Sequence, residues 1–380
     1  MRKRFFVSAI IAAAGCAAVL SGCVGCNGCN GGDGKRNAAA FSSNWYADTN
    51  FKYIQPTFWE ENKEVINYKV KFDAETAGNR TYKVEYAEGD YKTTFYAIKN
   101  FDASVICEEF KSGYPETAPS VYYYKTELSI SSVKFTLGGE TKTFDESNGG
   151  DTRVVTECYF LDVQNYLRPL YSVQDIKTVS PAEYQVDNLE RAYKQFNELH
   201  TTSYSFDGNN AKTVIINRLD GDNKTEKTVT GLNEGDNSLI DVAGLNVAVR
   251  AMQLGGGFNQ LLSLYSPSGN KQDYIFTGSS ASLPEEERKT VETELLKHGL
   301  FKEEKDGDDK VKPLETTAVT AALNAGLKGV SQTYWFTAVK NDKNNTGRAT
   351  MVKMSVPLNF SLGTFNYVLE SVESTLWNGK

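Results

Sequence analysis

Cysteine and histidine carry the most versatile side-chain chemistry in this sequence, which has six Cys and two His among its 380 residues. Cys23, Cys26 and Cys29 repeat at every third position, a spacing that matches three ligands of an iron–sulfur cluster. The fourth Cys of that ligand set is missing. Covalent haem attachment requires a His directly after the second Cys of the motif, and no His follows Cys29. We therefore predict no metal and no cofactor, and we interpret this segment as a linker.

The remaining reactive residues form no recognisable catalytic set. The sequence contains no Gly-x-Ser-x-Gly motif, and neither His200 nor His298 lies beside another nucleophile motif. The segments 220–223 and 306–309 have the Asp-rich composition of calcium loops but lack a terminal Glu, and turn formation explains both. We predict no catalytic residues and a non-enzymatic protein. A hydrolase that uses two carboxylates stays open as an alternative, because such pairs meet in space rather than in sequence.

The N-terminal segment has the organisation of an export signal. Three basic residues at positions 2–4 precede an apolar run, Phe5 to Leu20, which is shorter than the roughly 20 residues of a membrane-spanning helix. The run ends in Leu20-Ser21-Gly22-Cys23, which resembles the lipobox of bacterial lipoproteins. In that family the Cys sulfur is acylated and the residue becomes the mature N-terminus. The resemblance implies a signal peptide over residues 1–22 and lipid attachment at Cys23.

Cleavage before Cys23 would change how the protein meets a membrane. It removes three basic residues and no acidic ones, so the net charge of -7 becomes -10. Anionic lipid head groups repel such a chain, so attachment depends on the acyl chains, each buried CH₂ contributing about 0.8 kcal/mol. We predict a location on the cell membrane or the outer membrane, outside the cytoplasm. A nucleic-acid partner is not expected, because acidic residues outnumber basic ones by 48 to 41.

Residues 23–44 are rich in Gly and Asn and predict a flexible tether. The rest of the chain, 45–380, shows the alternation of apolar and polar residues that is typical of β-strands, first in a meander over 66–72, 82–86 and 91–97. This pattern predicts a mainly β fold with a few helices. The further predicted strands are 121–131, 133–137, 141–144, 151–161, 212–219, 224–230, 258–265, 272–278, 319–327, 332–340, 348–356 and 364–372.

Three segments have helical spacing instead. We predict helices around 187–199, over 238–254 and over 284–298, the last with Glu at its start and Lys and His at its end, as the helix dipole favours. A division of the domain into two lobes, near 172–208, is an open alternative. Cys107 and Cys158 are either joined by a disulfide, which we favour in an exported protein, or two buried thiols.

The order of several segments resembles uncharacterised bacterial lipoproteins with a half-barrel fold of the Lol carrier type. The resemblance lies in Pro56-x-x-Trp59, in 167–172, in the 248–252 helix before Phe258, and in 334–336 followed by Gly363 and Tyr367. It implies a large curved antiparallel sheet that packs against two or three helices.

The concave aromatic face of such a sheet would receive an acyl chain or another apolar small molecule. The alternatives are a module that binds cell-wall glycan or another envelope component, and aromatic residues that serve only as core. The aromatic residues concerned are Tyr82, Tyr86, Phe95, Tyr123, Trp335 and Phe336.

Overall fold

The computed structural model describes residues 37–38, 63–75, 82–163, 166–183, 185–232, 239–252, 259–298, 300–301, 305–306, 310–323, 331–337, 349–358, 360 and 362–374. The predicted signal peptide, Cys23 and most of the predicted tether lie outside these ranges. Within the tether, Asn37–Ala38 forms a short strand, so the segment 23–44 is not uniformly irregular.

The described residues form 21 strands and three α-helices. The helices are α1 (Glu108–Lys111), α2 (Leu245–Ala251) and α3 (Glu285–Lys297). The strands are β1 (Asn37–Ala38), β2 (Glu64–Ala74), β3 (Tyr82–Tyr86), β4 (Gly89–Ile98), β5 (Val121–Ile130), β6 (Ser132–Leu137), β7 (Glu140–Asp145), β8 (Thr152–Val163), β9 (Tyr166–Pro181), β10 (Tyr193–Tyr204), β11 (Ala211–Asn217), β12 (Asn223–Val229), β13 (Leu239–Asp241), β14 (Asn259–Tyr265), β15 (Lys271–Ala281), β16 (Lys305–Asp306), β17 (Lys310–Val311), β18 (Thr316–Leu323), β19 (Gln332–Thr337), β20 (Met351–Pro357) and β21 (Gly363–Ser374).

One large sheet dominates the fold and confirms the prediction of a mainly β protein with few helices. Sixteen strands join it in the order β1-β14-β15-β18-β19-β20-β21-β2-β4-β5-β8-β9-β10-β11-β12, with β13 also on β14. Only β1 and β13 run parallel to their neighbour β14; the other pairs are antiparallel. Two smaller sheets, β3-β6-β7 and β16-β17, complete the described part. None of the described helices combines the length and apolarity that crossing a bilayer requires.

The large sheet is built from two sequence halves. The N-terminal half contributes β2, β4, β5 and β8 to β12, the C-terminal half contributes β13 to β15 and β18 to β20, and β21 lies between β20 and β2. The short β1 is an exception, because it comes from the N-terminal half and pairs with β14. Within the segment 172–208, where a division into two lobes is the open alternative, β9 and β10 pair from Pro181 with Tyr193 to Tyr171 with Ser203. The N-terminal group of strands ends with β12 at Val229.

The sheet curves strongly. In the strand order β11 and β14 are twelve positions apart, which in a flat sheet would separate them by about 55–60 Å at about 4.8 Å per strand. Nevertheless, the Thr213 Oγ1 of β11 lies 3.2 Å from the Tyr265 hydroxyl of β14. The two ends of the sheet therefore meet through side chains, along a buried cluster that we call the seam. The seam consists of Tyr204, Ala211, Leu232, Leu239 and Tyr265.

Helix α2 lies inside this curve, where almost every residue of the helix is buried. Its Asn246 donates hydrogen bonds from Nδ2 to the hydroxyls of Tyr91, at 2.9 Å, and Tyr124, at 3.3 Å. Its Arg250 forms a two-pronged ion pair with Glu64, whose second N–O distance is 3.1 Å. The helix thus connects β2, β4 and β5 and fills the inner side of the sheet.

Several sequence predictions need correction. The helix predicted around 187–199 is a 3-10 turn, Leu189–Arg191, followed by strand β10, because inward positions of β10 alternate along the chain and pair with β9. The predicted helix 238–254 begins instead with strand β13, which pairs with β14; a 3-10 turn over Val242–Gly244 and helix α2 follow, and residues 238, 253 and 254 lie outside the described ranges. The meander is also wrong: β2 pairs directly with β4, and β3 pairs with β6 in another sheet. Helix α3 and strand β18 are confirmed.

Candidate functional site

Four tyrosines form a row across the outer face of β4, β5, β8 and β9. Tyr96 pairs with Tyr123, Tyr123 with Tyr159, and Tyr159 with Tyr171 in the strand register. Their ring centroids are 4.8, 4.9 and 6.1 Å apart in that order. These distances are typical of stabilising contacts between aromatic rings. We call these four residues the tyrosine row.

The tyrosine row is partly covered by the segment between β4 and β5, residues 99–120, which contains α1. Phe101 from this segment lies 5.6 Å from Tyr159, measured between ring centroids. Tyr96, Tyr159 and Tyr171 stay half-buried, whereas Tyr123 in the middle is buried. Burial raises the pKa of Tyr123 and of Tyr159 above the ordinary value, so both hydroxyls remain protonated near neutral pH.

A cleft of about 430 Å³ lies on the same outer face, farther along β2, β4, β5 and β8. Its polar lining combines amide, hydroxyl, acidic and basic groups, which suits a ligand with many hydrogen-bonding groups. Two of its carboxylates are already paired, Asp90 with Lys69 and Glu127 with Lys125, both at 3.0 Å. The charged residues that line the cleft are Asp90, Lys92, Glu127, Arg153 and Glu370.

The cleft and the tyrosine row lie on the outer face of the same strands. On β4 the buried Thr94 lies between Lys92 of the cleft and Tyr96 of the row, and on β5 Lys125 lies between Tyr123 and Glu127. Four residues along a strand span about 13 Å. The outer face therefore has mostly half-buried tyrosines at one end and a polar cleft at the other.

The inner side contains a buried carboxylate that fixes α2 to the sheet. Asp241 accepts hydrogen bonds from the hydroxyls of Ser172 and Tyr204, both at 2.6 Å, and from the backbone N–H of Ala243 at 2.7 Å. The last of these bonds caps the 3-10 turn that leads into α2. Burial raises the pKa of Asp241, and the three donors oppose that rise.

A second inner feature is a row of polar side chains in direct register across four strands. Thr126 of β5 faces Thr156 of β8, Thr156 faces Gln174 of β9, and Gln174 faces His200 of β10. All four are at most 2% exposed. We call them the polar row. Within the described residues, both threonine hydroxyls, both Gln174 amide atoms and His200 Nδ1 have no hydrogen-bond partner.

The two cysteines of the folded region lie on opposite faces of the sheet. Cys158 is buried on the inner face beside Asp241. Burial is the main cause that raises the pKa of its thiol, and the negative charge of Asp241 is the smaller one. The N–H of Cys107 donates to the Ser203 hydroxyl, which is on the outer face of β10. Both thiols are free, so the expected disulfide is not formed in this structure.

The other sequence candidates occupy structural positions. His298 ends α3 and lies 3.2 Å from Glu294, while His200 Nε2 lies 2.8 Å from Glu198. Asp220 ends a 3-10 turn at Gly221, whose φ of 59° is left-handed, which confirms turn formation there. No group of three or more His, Cys, Asp or Glu is arranged for a metal among the residues described.

The aromatic residues that the sequence offered as a surface for an apolar ligand are mostly core. Tyr82, Tyr86, Phe95 and Phe336 point into the main core and are at most 8% exposed. A small space beside Cys158 and Asp241 measures only about 10 Å³, roughly enough for one water molecule. The core interpretation is confirmed for these four residues, and Tyr123 belongs instead to the outer tyrosine row.

Sequence reasoning missed the tyrosine row because its members come from four separate strands. The useful signal was aromatic residues in both phases of one strand, as in Phe95-Tyr96 and Tyr122-Tyr123-Tyr124. Alternate residues of a strand face opposite sides, so such runs place aromatic rings on the outer face as well as in the core.

No protein family matches the sequence, and no curated protein matches it. Among solved structures, the chain is similar to a β-barrel-like protein of domain of unknown function DUF1849 from Brucella abortus, with a TM-score of 0.34 and 7% sequence identity. The match covers 82% of this chain and 98% of that chain.

Proposed function

We propose that this protein is a lipid-anchored, non-enzymatic component of the bacterial envelope that binds cell-wall glycan on its outer face. The observation that supports the proposal is that the tyrosine row and the 430 Å³ polar cleft share the outer face of β4, β5 and β8. Sugar rings have apolar faces that stack on aromatic side chains and hydroxyls that bond to polar ones, so a glycan chain matches both ends of this surface. An apolar ligand would have to bind the inner aromatic residues, and these are packed against one another.

Binding to purified peptidoglycan sacculi tests the glycan proposal. The mature lipoprotein, held in detergent, should sediment with sacculi, and Tyr96→Ala or Tyr171→Ala should weaken binding about fivefold each, since one aromatic contact contributes about 1 kcal/mol. Tyr193→Ala is a matched control, because Tyr193 is a half-buried tyrosine that contacts Phe144 away from this face. Equal binding by all variants, or no sedimentation of the wild type, would refute the proposal.

The same experiment separates the alternatives. Lipid that co-purifies with the protein and is found by mass spectrometry would favour an apolar ligand. Shortening of the glycan during incubation would favour the carboxylate-based hydrolase.

The anchor is tested separately. Cells that express the protein should incorporate labelled palmitate into it, and Cys23→Ser should abolish both the label and the membrane fractionation. Ser266→Ala, a distant change of similar size, serves as the control. Membrane fractionation that persists in Cys23→Ser would contradict lipid attachment at this residue.

A further inference from the structure

The polar row stands out because other hydroxyls on the same inner face are paired. Thr152 bonds to Thr178 at 2.9 Å, and Thr202 bonds to Thr213 at 3.0 Å. These pairs lie on the same strands as the polar row or on their direct neighbours. The unpartnered atoms are therefore not a general property of this face; they are concentrated in one line across four strands.

The unpartnered atoms also share one chemical character. A threonine hydroxyl both donates and accepts, and the Gln174 amide offers a donor and an acceptor side by side. Buried polar atoms in proteins are almost always hydrogen-bonded, either to protein groups or to a bound molecule. A partner for all of them must itself donate and accept, which is the property of water and of alcohol hydroxyls.

The charges around the row favour a neutral partner. Asp241 and Glu198 would repel an anion, and both are already hydrogen-bonded, Asp241 to three donors and Glu198 to His200. His200 binds Glu198 through Nε2, which leaves Nδ1 as the ring atom available to a guest. The side chain of Glu198 is 17% exposed, so the group that His200 contacts reaches solvent.

We propose that the polar row is the wall of an internal site that holds neutral hydroxyl groups, supplied by water molecules or by one small polyol. Thr126, Thr156, Gln174 and His200 bind these groups, and the site is independent of the outer cleft. The bound hydroxyl groups supply the hydrogen bonds that these polar side chains of β5, β8, β9 and β10 do not make with one another.

Thr156→Val tests the site because valine has nearly the shape of threonine without its hydroxyl. If the hydroxyl is bonded to a guest, the substitution lowers the folding equilibrium constant about three- to tenfold, as the loss of one hydrogen bond does. If the hydroxyl has no partner, the same substitution raises that constant. Thr201→Val is the matched control, since Thr201 follows His200 on β10 but faces outward. Its effect should stay below about twofold.

A high-resolution crystal structure of the wild-type mature protein gives a second readout that does not depend on a variant. Density peaks within hydrogen-bond distance of the Gln174 amide and His200 Nδ1 are expected. Separate peaks would identify water, and connected peaks together with a matching solute mass after denaturation would identify a polyol. Only apolar atoms around these groups, or a Thr156→Val protein more stable than the wild type, would overturn the proposal.

Discussion

Replacing Asp241 by Ala should destabilise the protein far more than the same change at Asp145. Both residues cap a 3-10 turn by accepting a backbone N–H two residues ahead, but Asp145 is only partly buried and Asp241 is fully buried. In Asp145→Ala, water replaces the lost acceptor, and the expected loss is about 0.5–1 kcal/mol. The comparison therefore separates the contribution of burial from that of capping.

In Asp241→Ala, three donors lose their acceptor in a site closed to solvent. The hydroxyls of Ser172 and Tyr204 and the N–H of Ala243 each account for about 1–3 kcal/mol when left unsatisfied, and relief of the buried charge offsets part of this sum. We expect a net loss of about 3–4 kcal/mol. Urea unfolding, monitored by tryptophan fluorescence, gives the free energy of unfolding of both variants. Losses that agree within about 0.5 kcal/mol would refute the idea that this network fixes α2 to the sheet.

Three further outcomes follow from buried groups. Burial raises the pKa of Asp241, so the folded state binds this proton more tightly than the unfolded state does. The contribution of Asp241 to the free energy of unfolding should therefore fall as pH rises from about 4 through the folded pKa. A difference in free energy of unfolding between wild type and Asp241→Asn that increases with pH would contradict this. Glu64→Gln should reduce the free energy of unfolding by about 3–5 kcal/mol, because it leaves the buried Arg250 without its ion pair. A loss below about 1 kcal/mol in urea unfolding would show that the ion pair is not needed for stability. In the folded protein a maleimide should modify Cys107 well before Cys158, because Cys158 is buried and burial raises the pKa of its thiol. Peptide mass spectrometry measures the two rates, and equal rates would show that Cys158 is accessible.

Strands were predictable from the sequence wherever one face of the sheet is core. Inward and outward residues of β5 and β8 alternate, and this period of two is readable in a single segment. The segment around Tyr193 and Phe196 failed because its apolar residues also fit a helical spacing, and only pairing with β9 decides between the two. Local pattern cannot supply that pairing.

Strand partners and sites were less predictable, because they depend on residues far apart in the chain. Strand β3 looks like the middle of a meander but pairs with β6, a choice that its own sequence does not record. The polar row and the tyrosine row each combine residues from four strands, so they become visible only when the register is known. Cys107 and Cys158 illustrate the same limit, since their sequence separation says nothing about the sheet that lies between them.

The position of β21 has a consequence for chains that end early. This strand pairs with β20 on one side and with β2 on the other, and in the described part it provides the backbone ladder between the two halves of the large sheet. Because synthesis runs from the N-terminus, β21 is made after the other described strands. Until then β2 and β20 each present an open edge to other chains, which is a known hazard for aggregation. A prematurely terminated chain would therefore be recognisable by its two unpaired edges.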